Sequence, residues 1–205
     1  MNAGAIVIVG AGQAGGWAAT TLRDRGYDDR IVLLGDEPHA PYELPPLSKA
    51  VLSGQALAES TELFAAHKLE SMGIEFEPGV AALRLRVADR RVDTSAGQAL
   101  AYDKLILCTG VPPTVPALPG VDHDGVHVLR TRADAERLRA RLGPDRHVLI
   151  VGGGWIGLEV AATARQSGSK VTVLEREARC ARAACSRACR RIWRRCTRPT
   201  AWRCG

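Results

Sequence analysis

The sequence predicts an α/β fold of two doubly wound parallel-sheet units, the second of them incomplete. Two observations carry this. The same pattern occurs twice, at residues 5–36 and 147–175: an apolar run, a glycine-rich turn, a stretch of helical period and a second apolar run. Each repeat reads as β–α–β, the unit from which parallel sheets are built. Between the repeats, Pro112, Pro113, Pro116 and Pro119-Gly120 break regular structure and mark a crossover from one unit to the next.

The elements follow in order. Ala5-Ile-Val-Ile-Val has no basic segment before it and is too short for a secretory leader, so it reads as a buried strand. The turn Gly10-Ala-Gly-Gln-Ala-Gly15 opens a helix, and Ile31-Val-Leu-Leu34 is the second strand. Leu63–Ser71 is expected to be helical and Ile74–Phe76 extended, with further strands at 80–93 and 102–107. Ala133–Leu142 is a polar-faced helix leading into the second repeat. There His147-Val-Leu-Ile-Val151 is a strand, Gly152-Gly-Gly-Trp-Ile-Gly157 a turn opening a helix, and Val171-Thr-Val-Leu174 the closing strand. No run of about 18 apolar residues exists, so nothing is expected to cross a membrane, and a cytoplasmic protein is the default.

At 205 residues and 46% hydrophobic, the chain suffices for one or two packed domains. Its net charge of +6 is unevenly placed. Residues 178–205 hold nine arginines and no Lys, Asp or Glu. Taking those nine from the 28 basic side chains leaves 19 against 22 acidic ones, a net −3 for residues 1–177. Five of the six cysteines (Cys180, Cys185, Cys189, Cys196 and Cys204) also lie in this tail. Body and tail need separate readings.

Gly10, Gly12 and Gly15 have the spacing of a dinucleotide-binding, Rossmann-like turn. The first glycine permits a tight turn, the second lets backbone approach a pyrophosphate, and the third lets the helix pack close to the strand. The helix N-terminus offers unpaired N–H groups and a positive dipole end to the phosphates. Asp36 and Glu37 follow Gly15 by 21 and 22 residues, where a carboxylate accepts hydrogen bonds from a ribose. Gly152, Gly154 and Gly157 repeat the pattern, with Glu175 18 residues beyond Gly157. A carboxylate there favours an unphosphorylated ribose, hence NADH over NADPH. Two such units imply two dinucleotides, and FAD on the first with NADH on the second is the expected pairing.

Three further stretches add to this. Gly35-Asp-Glu-Pro-His-Ala-Pro-Tyr-Glu-Leu-Pro-Pro-Leu-Ser-Lys49 follows the first repeat, Leu105-Ile-Leu-Cys-Thr-Gly-Val-Pro-Pro113 precedes the crossover, and Gly152-Gly-Gly-Trp-Ile-Gly-Leu-Glu-Val-Ala-Ala162 opens the second repeat. Together they resemble the FAD-dependent, NADH-linked ferredoxin reductases of bacterial oxygenase systems, the putidaredoxin and rhodocoxin reductase type, across residues 4–177. The resemblance implies an FAD-binding domain at 1–113 and part of an NADH-binding domain at 114–177. It implies FAD contacts at Ala14, Asp36, Lys49, Ala82 and Arg130, with the hinge pair Thr109 and Gly110 beside them. It places Lys49 by the isoalloxazine and Glu159 near the nicotinamide, with Ile156 in the second turn. It also implies hydride transfer from NADH to the flavin and single-electron transfer to a ferredoxin-type iron–sulfur protein, with no protein nucleophile and no metal. An NADH oxidase or a rubredoxin reductase of the same superfamily stays open. A disulfide reductase is disfavoured, because residues 36–60 contain no cysteine and Cys108 stands alone at an apolar strand end, where an inert thiol is expected.

The tail departs from the resemblance. It reads as a basic nucleic-acid arm with Trp193 and Trp202 interleaved, as a metal or disulfide module, or as a frameshift product. Cysteine spacings of five, four, seven and eight contain no C-x-x-C, which argues against metal. Arg, Ala, Cys, Trp and Pro together are what GC-rich DNA encodes out of frame. With CGN codons for Arg and the silent third bases free, a shifted reading from Arg190 is compatible with an amphipathic helix, a glycine and a strand start. The frameshift reading is therefore preferred over nucleic-acid binding, and the tail is expected to be disordered. It carries a functional alternative: an inactive truncated fragment that binds FAD at most, with exposed sheet edges that promote association.

Overall fold

The computed structural model describes residues 5–176 and Cys180; apart from Cys180, the readings made for the tail lie outside the described residues. The chain divides into two compact units. One comprises residues 1–43 and 59–112, and the other 44–58 and 113–205.

The first unit is built on a parallel sheet. β1 (Ile6–Val9), β2 (Ile31–Gly35), β3 (Ile74–Pro78) and β7 (Lys104–Leu107) lie in the order β3-β2-β1-β7. β1 and β2 are buried along their whole length, which is why they read as unbroken apolar runs rather than alternating ones. On one face Ile6, Ile8, Ile31, Leu33 and Ile74 pack with Ala19 of α1 (Gln13–Asp24) and Leu69 of α3 (Ala66–Ser71). On the other face Val7, Val9, Val32 and Leu34 pack with Val92, Ala82 and Leu100. These last three belong to an antiparallel sheet of β4 (Ala82–Arg86), β5 (Arg91–Thr94) and β6 (Ala99–Ala101). Each fully buried Leu or Ile of this kind contributes roughly 1.5–3 kcal/mol.

Three local differences from the sequence reading have physical causes. Residues 80–93 are not one strand. They fold back at Val87–Arg90, where Arg90 takes φ 50° and its N–H donates to the Val87 carbonyl. Arg86 pairs with Asp89 and Asp93 across this turn at 3.5 and 2.9 Å. The turn contains no Gly or Pro, so the usual signal is missing. β6 is three residues long and follows a turn at Gly97 (φ 78°). The helix expected from Leu63 starts at Ala66, because the Leu63 N–H donates to the Pro41 carbonyl at 2.8 Å and Tyr42 bridges Glu62.

The second unit contains a 3₁₀ turn (Pro45–Ser48), α2 (Ala50–Ser53), α4 (Arg132–Arg139), β8 (His147–Val151), α5 (Trp155–Gln166) and β9 (Lys170–Leu174). β8 and β9 pair in parallel and α5 connects them, so the second repeat is a β–α–β unit. Leu52, Leu138, Val160 and Ile150 form its core. On the opposite face of β8–β9, Leu149, Val151 and Leu174 are 58, 62 and 51% exposed and are left uncovered by the described residues. α4 starts with a capping box, in which the Thr131 hydroxyl accepts from the Asp134 N–H and the Asp134 carboxylate accepts from the Thr131 N–H. No helix among the described residues is long and apolar enough to cross a membrane.

Candidate functional site

The two glycine turns share one geometry, and each glycine in them has a different reason to be there. Gly10 and Gly152, directly after β1 and β8, adopt φ values of 102° and 106°, which disfavour any residue with a side chain. A Cβ on Gly10 would also lie 2.2 Å from the Cys108 carbonyl oxygen. The third glycines are close-packed: a Cβ on Gly15 would stand 1.9 Å from the Gly10 oxygen, and one on Gly157 2.3 Å from the Gly152 oxygen. The second glycines are the opposite case. Gly12 and Gly154 have φ −75°, and among the described residues a Cβ on either meets nothing within 4 Å. They are also the N-caps of α1 and α5, and neither helix receives a side-chain cap. The chain thus leaves an open helix N-terminus at both turns, with N–H groups at Gln13 and Ala14 and at Trp155 and Ile156. Such donors suit a pyrophosphate, so the residues fit the dinucleotides that the sequence implies. Ala14 and Ile156 occupy equivalent positions, and both are exposed.

Within the first unit, the other expected residues gather at the carboxyl ends of neighbouring strands, where parallel α/β sheets bind ligands. Asp36 and Glu37 follow β2, and Thr109 and Gly110 follow β7, on either side of the turn after β1. Gly10 lies against the Cys108–Thr109 peptide, and the Cys108 N–H donates to the Val9 carbonyl at 2.7 Å. The Val80 N–H donates to the Gly35 carbonyl, which brings the segment leading to Ala82 back to the same end of β2. The two carboxylates differ. Asp36 is exposed, whereas Glu37 accepts from the Tyr42 hydroxyl at 3.0 and 2.9 Å. Burial pushes the Cys108 thiol above its ordinary value, which favours the neutral thiol over the thiolate.

Within the second unit, Lys49 and Glu159 meet although 110 positions apart in sequence: Lys49 Nζ lies 3.0 Å from Glu159 Oε1. Ser48 Oγ donates to Glu159 Oε2 at 2.5 Å. Glu175, one residue past β9, accepts from the Gly153 N–H at 2.7 Å and so stands at the second glycine turn. Arg130 precedes the α4 cap, and its N–H donates to Asp134 Oδ2 at 2.9 Å. Burial alone would raise the Asp134 carboxyl. Donors from Thr131 and Arg130 and the Arg137 guanidinium outweigh it, so the carboxyl is held below its ordinary value. Ser48, Tyr42, Thr163 and Asp134 carry no role predicted from the sequence. Only the last had a readable signal, since Thr131-x-x-Asp134 is a capping-box pattern.

Comparison with known proteins bears on what these turns serve. The model of the pyridine nucleotide-disulphide oxidoreductase family matches residues 4–198. The chain belongs to this family. Among its members, the probable ferredoxin reductase CtmF of Castellaniella defragrans is 42% identical over 174 residues, which are 85% of this chain and 42% of that protein. The putidaredoxin reductase CamA of Pseudomonas putida is 41% identical over 177 residues, again 85% of this chain and 42% of the relative. The crystal structure of the covalent putidaredoxin reductase–putidaredoxin complex matches with a TM-score of 0.86 at 37% identity, covering 95% of this chain and 47% of that one. The chain therefore spans about two fifths of the length of the curated relatives it matches. Despite the family name, Cys108 at the end of β7 is a free thiol.

Proposed function

We propose that this chain carries the FAD-binding turn and the NADH-binding turn of a ferredoxin reductase, which passes electrons from NADH through FAD to a ferredoxin-type iron–sulfur protein of an oxygenase system. The observation that carries this reading is the paired turn geometry. Two open, uncapped helix N-termini each follow a parallel strand, and each has a carboxylate at the end of the next strand. The names of relatives at about 42% identity support the choice of this reaction.

The residues divide the work. Gly10, Gly12, Ala14 and Gly15 would hold the FAD pyrophosphate against the α1 N-terminus. Asp36, which is exposed, is the better ribose acceptor than Glu37, whose carboxylate already accepts from the Tyr42 hydroxyl. Ala82, Thr109, Gly110 and Arg130 would complete the flavin contacts, with Lys49 towards the isoalloxazine. Gly152, Gly154, Ile156 and Gly157 would hold NADH, with Glu175 at its ribose and Glu159 towards the nicotinamide. Bound FAD supplies the conversion of a two-electron hydride donor into single electrons. The chain supplies alignment: it binds two pyrophosphates by backbone donors and fixes a lysine–carboxylate pair by side-chain contacts. A cytoplasmic setting belongs to the same proposal.

The test is reduction of a purified ferredoxin-type protein by the chain with FAD and NADH, alongside a full-length relative. Acceptor reduction that requires both cofactors is expected. A chain that binds neither cofactor while folded overturns the reading.

A further inference from the structure

The contact between Ser48 and Glu159 has a consequence for the lysine–carboxylate pair. Ser48 is 5% exposed and ends the 3₁₀ turn Pro45–Ser48. Its hydroxyl donates to Glu159 Oε2 at 2.5 Å, while the Pro45 carbonyl is a longer alternative acceptor at 3.4 Å. Glu159 lies on α5, and Thr163 follows it by one helical turn. The buried Thr163 hydroxyl donates to the Ser48 carbonyl at 3.1 Å. Two successive turns of α5 therefore grip the same residue, one through its side chain and one through its backbone. The Lys49 ammonium spans Glu159 Oε1 at 3.0 Å and the Pro45 carbonyl at 3.3 Å.

A half-exposed lysine paired with a carboxylate is normally a weak and loosely oriented contact, because both long side chains lose freedom to make it. Here the carboxylate cannot swing, since one oxygen is held by a buried hydroxyl. A hydrogen bond to a charged acceptor is stronger than one between neutral groups and fixes its direction. We infer that Ser48 is a positioning residue: with Thr163 behind it, it holds the Glu159 carboxylate so that Oε1 faces the Lys49 ammonium. For its consequence, this rests on the flavin reading above, in which Lys49 and Glu159 flank the two cofactors. The geometry itself can be tested without them.

The readout is competitive acetylation of lysines in the cofactor-free 205-residue chain, with mass-spectrometric quantitation. Lys49, Lys68, Lys104 and Lys170 are all exposed, so the last three are internal standards. Ser48→Ala is expected to raise Lys49 labelling about two- to fivefold over the standards, the range of a weak ion pair released. Glu159→Gln should raise it as far, the double variant no further, and Ser48→Thr should return it to the parental level. Unchanged Lys49 labelling in Ser48→Ala, beside a rise in Glu159→Gln, overturns the inference. So does a double variant that exceeds Glu159→Gln, because Ser48 would then act independently of Glu159. If Ser48→Ala raises all four lysines the fold has been lost, and Ser48→Cys, of nearly the same size and a weak donor, decides. Raised Lys49 labelling there supports the role, and the parental level overturns it. Adding FAD to the parent separates the two readings. If the Ser48 variants respond and FAD leaves Lys49 unshielded, the flavin placement fails and the positioning role stands.

Discussion

Alanine at Gly12 and alanine at Gly15 should have opposite effects, although the two glycines sit in one turn three residues apart. At Gly15 the new Cβ would fall 1.9 Å from the Gly10 carbonyl oxygen, a backbone atom, and 3.3 Å from Leu33 Cδ1. Helix α1 must lift from β1 to admit it. Overpacking of this kind costs about 1–3 kcal/mol, and the backbone contact puts this case at the upper end. At Gly12 the Cβ meets nothing, and φ −75° suits alanine. Alanine is a poorer N-cap than glycine by about 0.5–1 kcal/mol. Its stiffer unfolded chain returns about 0.4–1 kcal/mol. Gly12→Ala should therefore fold with parental stability, within about 0.5 kcal/mol by these offsets. The methyl group, however, projects into the space a pyrophosphate would enter, and a tenfold or greater loss of FAD affinity corresponds to at least about 1.4 kcal/mol. Thermal unfolding and an FAD titration on both variants read the two effects separately. A Gly12→Ala protein that is stable and binds FAD as the parent does would refute the placement of the pyrophosphate. One that unfolds as readily as Gly15→Ala would refute the packing argument.

Other predictions are more local. Leu33→Ala, at a fully buried position on the helix-covered face, should cost about 2–5 kcal/mol in denaturant unfolding. Asp134→Ala removes a capping-box partner and should cost about 1–2 kcal/mol. Because the folded state holds the Asp134 carboxyl below its ordinary value, its contribution is complete above the unfolded value of about 3.9 and fades as pH falls through the lower folded value. The parent should therefore lose more stability than Asp134→Asn between about pH 4 and pH 2; parallel melting curves would contradict this. Leu149→Lys on the uncovered face of β8–β9 should change unfolding little and reduce light scattering at high concentration, and unchanged scattering would exonerate that face. Sequencing the gene from codon 177 tests the frameshift reading: restoring one frame should give a continuous reductase sequence of roughly twice this length, and an intact frame ending as it stands would contradict it.

What the sequence made legible followed from periodicity and backbone constraint. β1 and β2 were readable because both faces are buried, so each was a continuous apolar run bounded by glycine. The two turns were readable because φ near 100° at Gly10 and Gly152, and the lack of space at Gly15 and Gly157, leave glycine alone suitable. The hairpin at Val87–Arg90 was not, since arginine rather than glycine takes the positive φ and an Arg86–Asp89–Asp93 cluster closes the turn. The pairing of Ser48 and Lys49 with Glu159 was not either. Contacts between residues some 110 positions apart leave no local pattern, and the resemblance named Lys49 and Glu159 without joining them. The distinction between Asp36 and Glu37 needed Tyr42, whose hydroxyl is brought back by the Leu63–Pro41 hydrogen bond and the Tyr42–Glu62 bridge of the intervening loop.

The proposed function requires that NADH reduce flavin bound to this chain. Anaerobic titration of the FAD-loaded chain with NADH, followed by visible flavin absorbance, tests it most directly. Bleaching should grow with added NADH until all bound flavin is reduced. Bound flavin that keeps its oxidised spectrum in saturating NADH would contradict it.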